Sequence, residues 1–198
     1  MNQKATSYFK ELYDLLMGVQ VTDGHGAVLP LDEGASKVVA MILSVESSAG
    51  KVMVIGNGGS AAIASHMKSD LCRSVGVRAV TFSEAPLLTA LANDYGYGCV
   101  FERSVKLWAG TGDLLVAISS SGQSENILRA VEAAAAQGCQ IITLSGFRAD
   151  NPLRRLGGLN FYIPSQDYGY VELAHSALTH FLTDCATMSL SQARDSGD

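Results

Sequence analysis

Lys51-Val-Met-Val-Ile55 runs straight into Gly56-Asn-Gly-Gly-Ser60, and Leu114-Leu-Val-Ala-Ile118 runs straight into Ser119-Ser-Ser-Gly-Gln-Ser124. Each is a short apolar run, a turn of small residues, and then a helical pattern. A strand that enters a helix through such a turn presents unpaired backbone N–H groups to an anion. Glycine lets the backbone come close to a ligand, and serine adds hydroxyl donors that rotate to meet it. Read singly, each is equally a tight strand-to-helix turn, where these residues are common. Two of them in equivalent positions point to one phosphate cradle. Neither carries the Gly-Lys-Ser/Thr ending of a nucleoside-triphosphate loop, and the glycine spacing is not the dinucleotide pattern. A nucleotide is therefore not the expected ligand.

Outward from these turns, short strand-like runs at 52–55, 78–82, 114–118, 140–144 and 161–163 alternate with helical patterns over 60–74, within 86–109, over 124–137 and over 169–190. Ahead of them, Tyr8, Leu12, Leu15, Leu16 and Val19 mark an amphipathic helix over 5–20. A loop over 22–31 with Asp23-Gly24, Gly26 and Pro30 separates it from a second helix over 33–48. Apolar strands alternating with helices predict an α/β fold: a three-layer αβα sandwich around a five-stranded parallel sheet, flavodoxin-like, with extra N-terminal helices. A topological switch beside the first strand brings the carboxyl ends of the first and third strands together, where ligands bind in such sheets. The fold thus predicts that the two turns meet, independently of any motif. Residues 1–198 read as one domain, with helices over 1–49 for packing and oligomerisation, a core and C-terminal helix over 50–190, and a flexible tail over 192–198.

The net charge of −5 and a pI near 5.3 lack the basic excess of a nucleic-acid or acidic-membrane binder. No apolar stretch is long enough to span a bilayer. Nearly half the residues are apolar, an excess that fits surface buried between subunits. Cys72, Cys99, Cys139 and Cys185 are far apart and form no CxxC pair, so neither a zinc knuckle nor a disulfide framework is indicated. Met1-Asn-Gln-Lys-Ala5 lacks the apolar core of a signal peptide, and the expected location is the cytoplasm.

Candidate chemistry lies on two helices. His66 and Asp70 stand four apart on one face, close to Ser69 and Arg73, a spacing that serves a metal, an acid/base pair or a plain surface ion pair. The last helix carries Glu172, His175 and His180 on an otherwise apolar sequence; Glu172 and His180 are a little over two turns apart, and His175 is the candidate core histidine. Glu-x-x-His also belongs to di-metal bundles, but those need it on two helices and it occurs once here. Asn93-Asp94-Tyr95-Gly96 reads both as a helix C-terminus and as amide and carboxylate groups suited to sugar hydroxyls. Glu102 and Arg103 read as an exposed ion pair and Trp108 as packing.

Taken together, Gly56-Asn-Gly-Gly-Ser60, the His66 and Asp70 face, Ala92-Asn-Asp-Tyr-Gly96, Gly112-Asp-Leu-Leu115, Ile118-Ser-Ser-Ser-Gly-Gln-Ser124 and Ile141-Ile-Thr-Leu-Ser-Gly146 resemble, in order and spacing, the sugar isomerase (SIS) domain and within it the phosphoheptose isomerases. The resemblance runs from about residue 40 to 188. It implies a homotetramer with active sites between subunits, phosphate held by the serine turn, and zinc held by His66, Asp70, Glu172 and His180. Two of those four depart from the family pattern: Asp70 stands for a longer Glu that is the family's general base, and Glu172 stands for a neutral Gln. Arg73 also falls one place short of a family arginine, and Ser165-Gln-Asp-Tyr-Gly169 lacks the usual polar run.

The reaction so implied is aldose–ketose isomerisation of sedoheptulose 7-phosphate to a manno-heptose 7-phosphate through an enediol, a step toward lipopolysaccharide heptose. It needs a base at the carbon acid, a shuttle for the oxygen proton and stabilisation of the oxyanion. The expected roles are Asp70 or Glu172 as base, His180 as acid and zinc at the oxyanion. The expected substrate-binding residues are Asn57, Gly58, Gly59, Ser60, Asn93, Asp94, Ser119, Ser120, Ser121, Gln123 and Ser124. Two other readings stand beside this one: an isomerase of another phosphosugar or nucleotide sugar, which Asp70 and Glu172 favour, and a non-catalytic SIS tetramer that binds protein or senses sugar phosphate. The presence of His180 and the lack of an appended DNA-binding segment favour an enzyme.

Overall fold

The computed structural model describes residues 4–195, with side chains as far as Gln192. In chain order the elements are α1 (Ala5–Met17), β1 (Gln20–Asp23), β2 (Val28–Leu29), α2 (Leu31–Ser47), β3 (Val52–Gly56), α3 (Gly59–Asp70), β4 (Ala79–Val80), α4 (Ala85–Tyr95), α5 (Val100–Trp108), β5 (Leu114–Ser119), α6 (Glu125–Ala136), β6 (Gln140–Ser145), β7 (Leu159–Tyr162) and α7 (Tyr168–Asp195). Of the tail expected to be flexible, α7 takes residues up to Asp195, and 196–198 lie outside the described residues.

One mixed sheet runs in the order β2-β1-β7-β6-β5-β3-β4, and its five expected strands are mutually parallel. Because side chains alternate across a strand, β3 feeds two cores. Val52 and Val54 pack with residues of α2, α3 and α7, while Met53 and Ile55 pack with residues of α5 and α6. This two-sided burial is why the strands read as continuous apolar runs rather than as alternating ones. β3 and β5 are neighbours, in register from Val52 opposite Leu114 to Gly56 opposite Ile118, so the two small-residue turns leave the same edge of the sheet side by side.

The sheet has seven strands rather than five. The segment read as a loop over 22–31 contains part of a hairpin: β1 pairs antiparallel with β7 and with β2. Its turn is closed by Asp23, whose Oδ1 accepts the N–H groups of His25 and Ala27 at 2.9 Å each. The hairpin covers the outer edge of β7, which would otherwise leave unpaired backbone groups exposed. Strands of four and two residues flanked by turn residues carry too little periodicity to be read. At the opposite edge β4 is only Ala79–Val80, shorter than the run 78–82, because it pairs only with the start of β3. α1 buries none of its residues and rests on α7, where Tyr8 stacks on Tyr170 at 4.6 Å and the Tyr170 hydroxyl donates to Glu11 at 2.7 Å.

Candidate active site

The two turns meet in a cavity of about 240 Å³ lined by Asn57 to Ser60 on one side, Ser119 to Ser121 and Ser124 on the other, and Tyr168 and Glu172 from α7. What locks them together is a reciprocal amide pair. Asn57 donates to Asn126 Oδ1 and Asn126 donates to Asn57 Oδ1, each at 2.9 Å, and the Tyr97 hydroxyl donates to the same Asn57 oxygen at 2.9 Å. Asn126 is 3% exposed, so its amide has been taken out of water for this pair. The backbone turns sharply at Gly58 (φ +54°), a conformation open to glycine, and delivers the first turn of α3 to the cavity. In the second turn Gly122 N–H donates to Ser119 O and Oγ, and Gln123 N–H donates to Ser121 Oγ. Ser120 Oγ is buried and has no hydrogen-bond partner among the described residues, a donor left for a ligand.

α3 and α7 pack against each other and bring together His66, Asp70 and His180. Asp70 Oδ2 lies 3.4 Å from His66 Nε2 and 3.4 Å from His180 Nδ1, and the two imidazole rings are 4.6 Å apart, edge to face. Arg73 stands behind, 3.9 Å from Asp70 Oδ1. One donor atom from each of the three residues falls within 4.8 Å of the others. Two imidazole nitrogens and a carboxylate, at that separation, fit a divalent transition-metal ion with open positions for other ligands. The helix changes to a π-helical turn over Leu71–Val75 directly after Asp70, a local widening of the kind that often accompanies functional residues.

Glu172 does not join this trio. It lies eight residues before His180 on the same helix. Its carboxylate lies instead against Gly59, where a side chain would collide with it. His175 lies between them and faces the sheet. It is fully buried, its Nε2 is 3.2 Å from the carbonyl oxygen of Ser145, and its Nδ1 has no partner among the described residues. A carbonyl can only accept, so Nε2 carries the proton. Burial pushes the imidazole pKa down to about 4, a fall the bond to Ser145 only partly offsets. It is a neutral core residue.

A SIS domain family model matches residues 30–146. The phosphoheptose isomerase of Helicobacter pylori strain P12 is 34% identical over 161 residues, spanning 78% of this chain and 83% of that protein. The phosphoheptose isomerase of Aliarcobacter butzleri is 36% identical over 166 residues, 80% of this chain and 85% of its own. The chain belongs to the SIS-domain phosphoheptose isomerase family. The solved phosphoheptose isomerase of Neisseria gonorrhoeae has the same fold, with a TM-score of 0.79 and 28% identity over 91% of this chain and 95% of that one.

Within this family member, the remaining residues singled out from sequence fall outside the cavity wall. Gln123 is exposed on the turn. Asn93 and Asp94 are exposed at the end of α4 and bonded to each other at 3.0 Å. Their segment connects to the site through Tyr97, which sequence reading passed over, as it did Asn126 and Tyr168. A polar amide in the first turn of an apolar helix was the signal available for Asn126. Nothing local marks the two tyrosines. Glu102 and Arg103 do not pair: Glu102 accepts from Lys106 at 2.6 Å and from Arg129 at 2.7 Å, and Arg103 lies over the Tyr95 ring at 3.4 Å. Successive helix residues point about 100° apart, so partners are found three or four places away. Trp108 is half-exposed at the end of α5, 6.3 Å from Phe82.

Proposed function

We propose that this protein isomerises sedoheptulose 7-phosphate to D-glycero-D-manno-heptose 7-phosphate. The observation that carries the reading is the joining of the glycine and serine turns into one cavity lined by Glu172 of α7, the helix that also carries His180 to His66 and Asp70. Ser60, Ser119, Ser120, Ser121 and Ser124, with the N–H groups of Gly58 and Gly59, hold the phosphate, and that remote binding orients the sugar. Asn57 acts through its amide pair, keeping the two turns in register. His66, Asp70 and His180 hold a divalent ion, zinc, which when bound supplies positive charge for the developing oxyanion. Asp70 already faces both imidazoles, which makes it the ligand and leaves Glu172 to take the carbon proton. No hydrogen bond or ion pair occupies Glu172 among the described residues, so its oxygens are free to accept. His180, whose Nδ1 faces Asp70, keeps Nε2 for the oxygen proton. Asn93, Asp94 and Gln123, exposed outside the cavity wall, are the further candidates for contact with the sugar.

The assembly proposed is a homotetramer of the cytoplasm. Its support is the amount of apolar surface left uncovered: Phe9, Tyr13 and Met17 on α1, Leu107 and Trp108 on α5, and Phe181 and Met188 on α7 are all at least 45% exposed. The four cysteines are free, and no described helix is long and apolar enough to cross a membrane. The deciding experiment is NMR of sedoheptulose 7-phosphate with zinc-supplemented protein in D2O. The expected result is aldose carrying deuterium at C2, lost in Glu172→Gln with metal content intact, and lost in His180→Ala. Absence of turnover by the metal-loaded oligomer would overturn the substrate and favour another phosphosugar, the reading that Asp70 and Glu172 would then explain.

A further inference from the structure

Behind the serine turn lies a buried polar residue that neither the motifs nor the cavity lining includes. Asn151 is 1% exposed. Its Nδ2 donates to Arg148 O at 2.8 Å, Gly146 O at 3.1 Å and Ser145 Oγ at 3.3 Å, and its Oδ1 accepts the N–H of Arg154 at 3.1 Å. The same carboxamide is pressed against Gly122, the one left-handed residue of the serine turn (φ +63°), so closely that a Cβ there would overlap Asn151 Oδ1. Two residues on, Leu153 N–H donates to Gly122 O at 3.1 Å.

We propose that Asn151 is a positioning residue for the phosphate turn, an inference that rests on the phosphate reading of that turn. The peptide bond is planar and trans, so the carbonyl of Gly122 and the N–H of Gln123 point opposite ways. Holding Gly122 O on Leu153 therefore turns the Gln123 N–H outward, where it meets Ser121 Oγ at 3.2 Å and sets that hydroxyl. Asn151 ties this arrangement to the end of β6 through Ser145 and Gly146, so the donors aimed at phosphate share one rigid floor with the sheet. Preorganised donors bind an anion without reordering; loosened ones lose that advantage.

The test uses the intact enzyme, with sedoheptulose 7-phosphate as substrate and inorganic phosphate as competitive inhibitor. Asn151→Ser keeps an acceptor for the Arg154 N–H, since serine caps a helical turn well, but removes the carboxamide pressed against Gly122 and its bonds to Ser145, Gly146 and Arg148. Asn151→Asp keeps the shape while setting carboxylate oxygen against the three acceptors that Nδ2 now satisfies. Thr143→Val is the control, a change in the same buried polar layer that removes the bond from Asn160 without touching the turn. The expected result for Asn151→Ser is a rise of about tenfold in KM and in the phosphate inhibition constant, with kcat within about threefold of the parent, an effect of displacing donors by a fraction of an ångström. Thr143→Val is expected to lower the melting temperature and leave both constants unchanged. Parent-like constants in Asn151→Ser, or the same rise in Thr143→Val at an equal loss of stability, would overturn the proposal. Ser121→Ala separates the two levels. If it weakens phosphate binding while both Asn151 variants do not, only the positioning role falls; if phosphate does not inhibit the parent, or inhibits Ser121→Ala equally, the phosphate reading falls and the role of Asn151 with it.

Discussion

Acidification should destabilise this protein through His175, at a pH where carboxylates are still charged. The perturbation is a shift from pH 7 to pH 5. In the unfolded chain the imidazole titrates near its ordinary value of about 6.5, whereas in the folded core burial holds it down to about 4. Between those values the unfolded state binds more protons, so stability is complete above about pH 6.5 and declines as pH falls toward 4. Integrating over one site gives a loss of about 2 kcal/mol by pH 5 and about 3 kcal/mol by pH 4. For a chain of this size, about 2 kcal/mol lowers the melting temperature by roughly 4–8 °C. Glu102, held low by Lys106 and Arg129, gives up its contribution only as pH falls below the ordinary carboxylate range, outside this window. The assay is urea unfolding at pH 7, 6 and 5, at fixed protein concentration and with chelator present so that metal loss plays no part. His175→Gln, whose amide nitrogen can still donate to Ser145 O, removes the titrating group and should flatten the profile. Equal losses in parent and His175→Gln between pH 7 and pH 5 would refute the reasoning.

Two further substitutions probe the frame and the site. Asp113→Ala strips the acceptor from the N–H groups of Lys51 and Gly110 and from Lys51 Nζ, bonds of 2.7–2.8 Å that join the starts of β3 and β5. It should cost about 3 kcal/mol in urea unfolding, with a loss under about 1 kcal/mol counting against the assignment. Gly59→Ala places a methyl where the Glu172 carboxylate now lies. The obstacle is the tip of a flexible side chain and alanine favours the helix, so stability should stay within about 1 kcal/mol of the parent. Deuterium incorporation at C2 should nonetheless fall at least tenfold by NMR, and an unchanged rate would remove Glu172 from the proton transfer.

Elements whose cause is local are legible in the amino-acid sequence alone. Continuous apolar runs such as Val52–Gly56 require burial on both faces, and that requirement alone implies a parallel sheet between helix layers. The turns at Gly56–Ser60 and Ser119–Ser124 follow from the same reasoning, because ligands gather where strands end and helices begin. The pairing of His66 with Asp70 is a matter of helical pitch. Other features depend on distant segments. The β1–β2 hairpin exists because β7 has an open edge, and nothing within 20–29 records that edge. Asn126 and Tyr97 reach Asn57 across separations of 69 and 40 residues. His180 meets His66 only because α7 packs on α3, and the same helix geometry that brings His180 there carries Glu172 to Gly59 instead. Period and turn chemistry are written along the chain and determine the fold class and the two anion turns, whereas side chains far apart in sequence become neighbours only by packing, and that is where the grouping of the chemistry was decided.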